Sequence, residues 1–251
     1  LRATLHADAV RLTQSSGYFN AGTVEFLIGQ DGRHYFIEVN PRIQVEHTVT
    51  EEITGIDLVQ TQIRLAAGET LPSMGLTQDK IKVNGNAIQC RITTENPAKS
   101  FTPDTGVVTV YRSAEGRGIR LDGVGFTGMT ISPYYDSMLC KITAKAGDFD
   151  SCLNKMKRAL LEFRIRGVKT NVFFLQNVLN NGNFESKDGA VTTSFIDENP
   201  GLLKPPTSFQ NRAEKVISYL ANLSVNGHPK ELGATGSPPS MIDPVIPHVP
   251  T

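Results

Sequence analysis

The chain has 251 residues, with 25 Lys or Arg balanced by 25 Asp or Glu, so no net field steers it to nucleic acid or to an anionic membrane. A hydrophobic content of 39% is enough to bury a real core, and no apolar run approaches the roughly 20 residues a bilayer crossing needs. Cys90, Cys140 and Cys152 are widely spaced without a CxxC pair, which reads as reduced thiols in a reducing compartment, with Cys90 placed next to Arg91 as a site-adjacent thiol to examine.

Residues 1–16 carry apolar side chains at helical spacing, and Gly17 is a suitable cap. Residues 22–28 and 34–40 read as two strands separated by a Gly- and Asp-containing turn. If Asp31-Gly32 forms a two-residue hairpin turn, facing positions sum to 63 and Glu25 falls opposite Glu38.

Two carboxylates facing across a hairpin repel unless something compensates them. A hard divalent cation would, because Mg²⁺ takes one or two carboxylates and fills its other positions with water or phosphate oxygens. Glu25 and Glu38 are therefore read as a Mg²⁺–nucleotide platform, with Asn40 as third ligand; pairing of one carboxylate with an arginine, or plain exposure, is the alternative.

From Glu38 onward, polar side chains recur at every second position: Glu38, Asn40, Arg42, Gln44 and Glu46. In an extended backbone these share one face, pointing His47 to the other as a packed histidine. On that face the planar guanidinium of Arg42 suits a carbonate or phosphate anion, and Glu46 is placed to act as a general base toward it. An ordinary solvent face is the competing reading, although Pro41 is a poor choice for a regular ladder.

Asp57 opens a further helix with Ile56, Val59, Ile63 and Ala66 on one side, ending at Gly68. Strand patterns follow at 87–93, 106–111, 119–121 and 138–144, then two helices with Asp150 and Thr170 as N-caps and Leu153, Met156, Leu160, Phe174, Leu175 and Val178 facing inward. The order is that of an α+β chain. After Pro200 come a Lys204-Pro205-Pro206 linker, an amphipathic helix over 211–222, and a proline-rich tail expected to be extended.

The run Glu38-Val39-Asn40-Pro41-Arg42-Ile43-Gln44-Val45-Glu46-His47, with Thr50-Glu51 and Thr54-Gly55-Ile56-Asp57 after it, resembles the signature of the biotin carboxylase branch of the ATP-grasp enzymes. The resemblance continues through Cys90-Arg91-Ile92, Phe101-Thr102-Pro103, Ser132-Pro133-Tyr134-Tyr135-Asp136-Ser137-Met138 and the segment 163–171. Among biotin-dependent carboxylases, Arg120-Leu121-Asp122-Gly123, Thr193-Ser194-Phe195-Ile196-Asp197, Asn211-Arg212-Ala213 and Val225-Asn226-Gly227 are most similar to the pyruvate carboxylase family.

The fold implied is the second half of an ATP-grasp fold, residues 1–68, followed by the biotin carboxylase C-terminal subdomain, an antiparallel sheet with helices, over 69–203. Residues 204–251 would then begin the linker that supports tetramerisation. Because the chain opens at Leu1 inside a helical pattern, it is expected to be an internal segment. On that reading, the amino-terminal subdomain, the phosphate-covering lid, the carboxyltransferase and the biotin carrier domain lie outside it.

The activity implied is ATP- and bicarbonate-dependent carboxylation of biotin, serving conversion of pyruvate to oxaloacetate in the full-length enzyme. The biotin carboxylase part of an acyl-CoA carboxylase and a non-catalytic assembly fragment are the alternatives. By resemblance, Glu25, Glu38 and Asn40 hold Mg²⁺ or Mn²⁺ with ATP, and Leu27 borders the adenine. Arg42, Gln44 and the Val45 N–H hold bicarbonate, Glu46 takes its proton, and Arg91 stabilises the deprotonated biotin ring. Pairing of Arg91 with Glu95 or another carboxylate is the plainer reading of that residue.

The implied partners are bicarbonate, a biotin carboxyl carrier domain and further copies of the chain, as a dimer of biotin carboxylase domains and a full-length tetramer, with neither nucleic acid nor membrane. The arginines of Gly116-Arg117-Gly118-Ile119-Arg120 are expected at the dimer interface, and Tyr134, Tyr135 and Asp136 as packing plus a hydrogen bond. Cytoplasm, ahead of the mitochondrial matrix, is the expected location.

Overall fold

A computed structural model describes residues 1–29, 31–186, 191–205 and 212–227, and the chain divides after Leu203 into two compact units. Expectations for Pro206 and for residues 228–251 fall outside the described residues. In the second unit the described helix is α8, Arg212–Asn226.

The first unit begins with α1, Arg2–Ser15, and Gly17 follows it at φ +67°, a left-handed conformation that glycine adopts without a Cβ penalty. Strands β1, Thr23–Ile28, and β2, His34–Asn40, form an antiparallel hairpin in which Glu25 faces Glu38. The route to that register differs from the expected one. Near the turn Phe26 pairs with Phe36 and Ile28 with His34, one residue short of the two-residue turn, and the strands close where Gly29 N–H donates to Arg33 O at 2.8 Å. A bulge between Glu25 and Phe26 absorbs the extra residue, Ile37, and restores the pairing that sets the carboxylates face to face.

The extended face expected to run through Glu46 stops at Asn40. Pro41 has no N–H to continue a ladder, Arg42 N–H folds back onto Asn40 O at 2.8 Å, and from His47 the chain is helical as α2, His47–Thr54, with Glu46 as N-cap. Gly55 at φ +72° ends that helix, and Asp57 caps α3, Leu58–Ala66, by accepting the Gln60 N–H at 2.8 Å.

The centre of the unit is a three-stranded antiparallel sheet in the order β3, Asn86–Thr93; β10, Met138–Ala146; β8, Ile119–Gly123. Shorter pairs join β4, Glu95–Asn96, to β5, Thr102–Pro103; β6, Gly106–Val107, to β9, Thr130–Ile131; and β7, Val110–Arg112, to β11, Arg164–Arg166. The strand expected over 106–111 is thus split between two pairings.

Period-two alternation gives the sheet two different faces. Cys90–Ile142–Leu121 and Ile92–Cys140–Gly123 are cross-strand rows of one face, and α4, Phe149–Glu162, covers it with Cys152, Leu153, Met156, Ala159 and Leu160. Each fully buried Leu, Ile or Met in this layer contributes about 1.5–3 kcal/mol. Gln89–Thr143–Arg120 and Arg91–Lys141–Asp122 form the rows of the opposite, polar face.

The N-cap of α4 is Asp148, accepting from Ser151 N–H at 2.8 Å, rather than Asp150, which lies in the first turn. Likewise α5, Val172–Leu179, starts after Asn171, not Thr170. Buried Asn171 spends its side chain on the edge of β3, where Oδ1 accepts the Thr93 N–H at 3.0 Å and Nδ2 donates to Arg91 O at 2.9 Å. That satisfies backbone groups which the end of the sheet would leave unpaired. The short helices α6, Gly182–Glu185, and α7, Phe195–Glu198, complete the unit, with Phe195 packing near Phe174 and Leu202.

Two further expectations are corrected. Cys90 is not site-adjacent: neighbouring strand residues face opposite sides, so Arg91 lies on the polar face while Cys90 is buried under α4. Tyr134 and Tyr135 do not pack, being 90% and 83% exposed in the turn before β10, although Asp136 does accept the Met138 N–H at 2.9 Å. Within the chain Arg120 pairs with Asp122 Oδ2 at 2.8 Å and Glu51 Oε2 at 2.6 Å.

Burial drives the Cys90 thiol up to about 12. Native protein at pH 7.5 is therefore expected to react with iodoacetamide at Cys90, Cys140 and Cys152 at least ~100-fold more slowly than free cysteine, read by mass spectrometry over time. The linkage has a definite sign: the neutral thiol is favoured in the native state, so stability is complete below the ordinary thiol value and declines from about pH 9 toward pH 12.

Candidate active site

The site is built on the segment between β2 and α2. At its first end Glu25 and Glu38 face each other, and Asn40 bridges them, its Nδ2 donating to Glu25 Oε1 at 2.8 Å and Glu38 Oε1 at 3.2 Å. Gln44 Nε2 also approaches Glu25 Oε1, at 3.4 Å. Amide donors thus offset the like charges. The same pair of carboxylates fits a hard divalent cation, which needs no third acidic group when phosphate oxygens complete its shell. Among the described residues no cluster of three His, Cys, Asp or Glu forms a metal cage. Asn40 would ligate through its carbonyl oxygen, so that role requires its amide to turn from the donor orientation it holds here.

At the other end Glu46 Oε2 accepts from Arg91 Nη2 at 2.7 Å, across from strand β3. Both side chains are about half exposed, so the pair contributes little to stability, about 0–1 kcal/mol, and its geometry is the informative part. Glu95 instead accepts from Thr93 and Ser137 hydroxyls. Arg42 is exposed and donates to Ile43 O at 3.2 Å, with no carboxylate partner among the described residues. Leu27 is 57% exposed on the hairpin, so here it is surface rather than core.

His47 is packed and hydrogen-bonded, as expected. Its Nδ1 lies 2.7 Å from Gln44 O, an acceptor only, so Nδ1 carries the proton; its Nε2 lies 3.7 Å from Glu51.

The sequence reading missed the groups that seat α2 on the polar sheet face. Thr48, fully buried, shares a 2.7 Å hydroxyl hydrogen bond with Thr143. Gln89 Nε2 donates to Val45 O at 2.9 Å and to Thr48 Oγ1 at 2.5 Å, and Lys141 Nζ donates to Val45 O at 3.0 Å. Glu51, 8% exposed, accepts from Arg120 at 2.6 Å and from the Leu58 N–H at 2.7 Å. Arg120 is held firmly in its charged form, first by the Asp122 hydrogen bond and then by Glu51. A signal was present: Gln89 and Arg91, Arg120 and Asp122, and Lys141 and Thr143 repeat the two-residue spacing of polar groups in strands otherwise apolar. A cleft of about 500 Å³ beside this hub is lined by Glu51, Glu52, Asp57, Arg120 and Lys145.

Known proteins are similar to this chain. Residues 89–198 match the biotin carboxylase C-terminal domain, and residues 1–74 match the ATP binding domain of the carbamoyl-phosphate synthase L chain. The chain is 56% identical over its whole length to mitochondrial pyruvate carboxylase of Homo sapiens and 54% identical to pyruvate carboxylase 1 of Caenorhabditis elegans, and it spans about a fifth of each. The complete pyruvate carboxylase of Rhizobium etli superimposes with a TM-score of 0.77 at 48% identity, covering 91% of this chain and 23% of that one. The biotin carboxylase domain dimer of Hydrogenobacter thermophilus 2-oxoglutarate carboxylase, in complex with MgADP, ADP and bicarbonate, gives 0.77 at 40%, covering 82% and 44%. The chain thus carries a biotin carboxylase C-terminal domain over residues 89–198 and is similar over its whole length to pyruvate carboxylases.

Proposed function

We propose that this chain is the bicarbonate-activating part of a biotin-dependent carboxylase that uses ATP and bicarbonate to carboxylate biotin and, as a full-length protein, converts pyruvate to oxaloacetate. The observation that carries the reading is the Arg91–Glu46 contact, which joins β3 to the segment that begins at the Glu25–Glu38 pair. Likeness over the whole chain to pyruvate carboxylases favours pyruvate as acceptor over an acyl-CoA.

The residues divide the work along that segment. Glu25 and Glu38, with Asn40, would hold Mg²⁺ or Mn²⁺ on the nucleotide, which when bound neutralises phosphate charge. Leu27 would border the adenine. Arg42, Gln44 and the Val45 N–H would bind bicarbonate, the guanidinium balancing charge that grows as the proton leaves. Glu46 accepts that proton; with Oε2 held by Arg91, Oε1 is the oxygen that takes it. Arg91, engaged through one nitrogen, has further donors for an anionic oxygen of the biotin ring.

The same reading divides the chain into an ATP-grasp part, 1–68, a C-terminal biotin carboxylase part, 69–203, and a linker start, 204–251. It also assigns the carrier domain and further copies of the chain as partners, in cytoplasm or mitochondrial matrix. The test is ADP release by the purified full-length protein with free biotin: release is expected to require bicarbonate, and release indifferent to bicarbonate overturns the reading. The 251-residue chain alone is expected to release no ADP above background, because Leu27, Glu46 and Arg91 lie open to solvent on a single wall. Bicarbonate-dependent turnover by that chain would overturn the one-wall account.

A further inference from the structure

Two successive peptide planes at the entrance to α2 are gripped by their carbonyls. Gln44 O accepts from the His47 N–H at 3.2 Å and from His47 Nδ1 at 2.7 Å; Val45 O accepts from Gln89 Nε2 at 2.9 Å and from Lys141 Nζ at 3.0 Å. In a trans peptide the C=O and N–H point in opposite directions, and the chain has no cis peptide bond among the described residues. Gripping Gln44 O therefore aims the Val45 N–H away from His47. Gripping Val45 O aims the Glu46 N–H away from the sheet, and with it fixes the backbone from which the Glu46 side chain departs.

We propose that Lys141 and Gln89 are positioning residues for bicarbonate activation: their joint hold on the Val45 carbonyl orients the Val45–Glu46 peptide, and with it the backbone from which the Glu46 carboxylate departs toward the anion held at Arg42 and the Val45 N–H. This rests on the function proposed above. Lys141 is 9% exposed, with Arg91 and Asp122 as its cross-strand neighbours and Arg120, Glu51 and His47 nearby. Because His47 Nδ1 already donates to Gln44 O, its 3.4 Å approach to Lys141 Nζ is proximity rather than a hydrogen bond, and the ammonium is directed to Val45 O. Burial opposes the charged form of Lys141, with Asp122 partly offsetting it. A buried charge is a weak device for stability, whereas two donors converging on one carbonyl fix its direction. The row Arg91–Lys141–Asp122 thereby grips consecutive residues, Val45 through Lys141 and Glu46 through Arg91.

The test is steady-state kinetics of the full-length protein carrying Lys141→Met, Lys141→Arg or Gln89→Met. Lys141→Met is expected to lower kcat/KM for bicarbonate about 10- to 100-fold, the order expected when a reacting group is displaced by about 1 Å, with KM for Mg–ATP and the melting temperature unchanged. Lys141→Arg, which keeps a donor, is expected to recover most of the loss. Gln89→Met is expected to act in the same direction, and the double variant to lose less than the product of the single effects, because both act on one carbonyl. Unchanged kcat/KM for bicarbonate in both Met variants overturns the proposal, as does an equal loss toward bicarbonate and Mg–ATP with a lowered melting temperature. Glu46→Gln separates the two levels: if it retains bicarbonate-dependent cleavage the functional reading fails, whereas if only the Lys141 and Gln89 variants behave as wild type the positioning role alone fails.

Discussion

Glu46→Gln in the full-length protein is expected to cut bicarbonate-dependent ATP cleavage about 10²- to 10⁴-fold, the range lost with a general base, while Mg–ATP binding stays within about twofold. Gln matches Glu in shape and can still accept from Arg91, so the 2.7 Å contact that places the residue is kept and only its ability to take a proton is lost. The pair is about half exposed, so the change has little structural cost. Nucleotide binding is expected to survive because the metal site proposed above lies elsewhere, at the facing Glu25 and Glu38. Cleavage is measured as ADP release with and without bicarbonate, and binding by calorimetry. Glu25→Gln is the converse control and should weaken Mg–ATP binding. Loss of nucleotide binding in Glu46→Gln would make Glu46 a metal or structural group instead.

Arg120→Leu is the largest expected effect on stability. Glu51 is 8% exposed and would lose its cation while keeping the Leu58 N–H and a distant His47. Removing one partner of a buried pair costs about 3–5 kcal/mol, and because Arg120 is about a third exposed the expected loss here is about 2–3 kcal/mol. For a domain of this size that lowers the melting temperature by roughly 5–10 °C, checked by calorimetric or circular-dichroism unfolding. Replacing Glu51 with Gln in the same background should recover part of the loss, since the uncompensated charge is what is costly. An unchanged melting temperature in Arg120→Leu would mean that Thr48, Gln89 and Lys141 suffice to seat α2 on the sheet.

Much of the fold followed from local pattern. The helices at 2–15, 58–66 and 149–162 and the strands of the central sheet are marked by periodicity, and Asp57 and Gly17 mark boundaries as side-chain and backbone chemistry require. Caps were less legible. Asp148 and Asp150 are both suitable N-cap residues, and which one caps depends on where the preceding strand releases the chain. The facing of Glu25 and Glu38 was legible by compensation, since a wider turn and the bulge at Ile37 shift the register by one residue in opposite senses. Two-residue alternation failed past Asn40 because an extended strand needs a partner for its backbone. Pro41 offers no N–H, and the helix supplied bonds that a further stretch of strand would not have.

By itself, then, the sequence determined which groups the chain carries: the carboxylate pair, the guanidinium of Arg42, the carboxylate of Glu46 and the signature they compose. The tertiary structure alone decided how these groups meet. Glu46 reaches Arg91 because α2 lies on the polar face of a sheet that begins some forty residues later, and Val45 is held there by Gln89 and Lys141. Those contacts join residues 44 to 96 positions apart, a separation that no local spacing encodes, and they are specified by which face of β3 and β10 turns away from the apolar layer under α4.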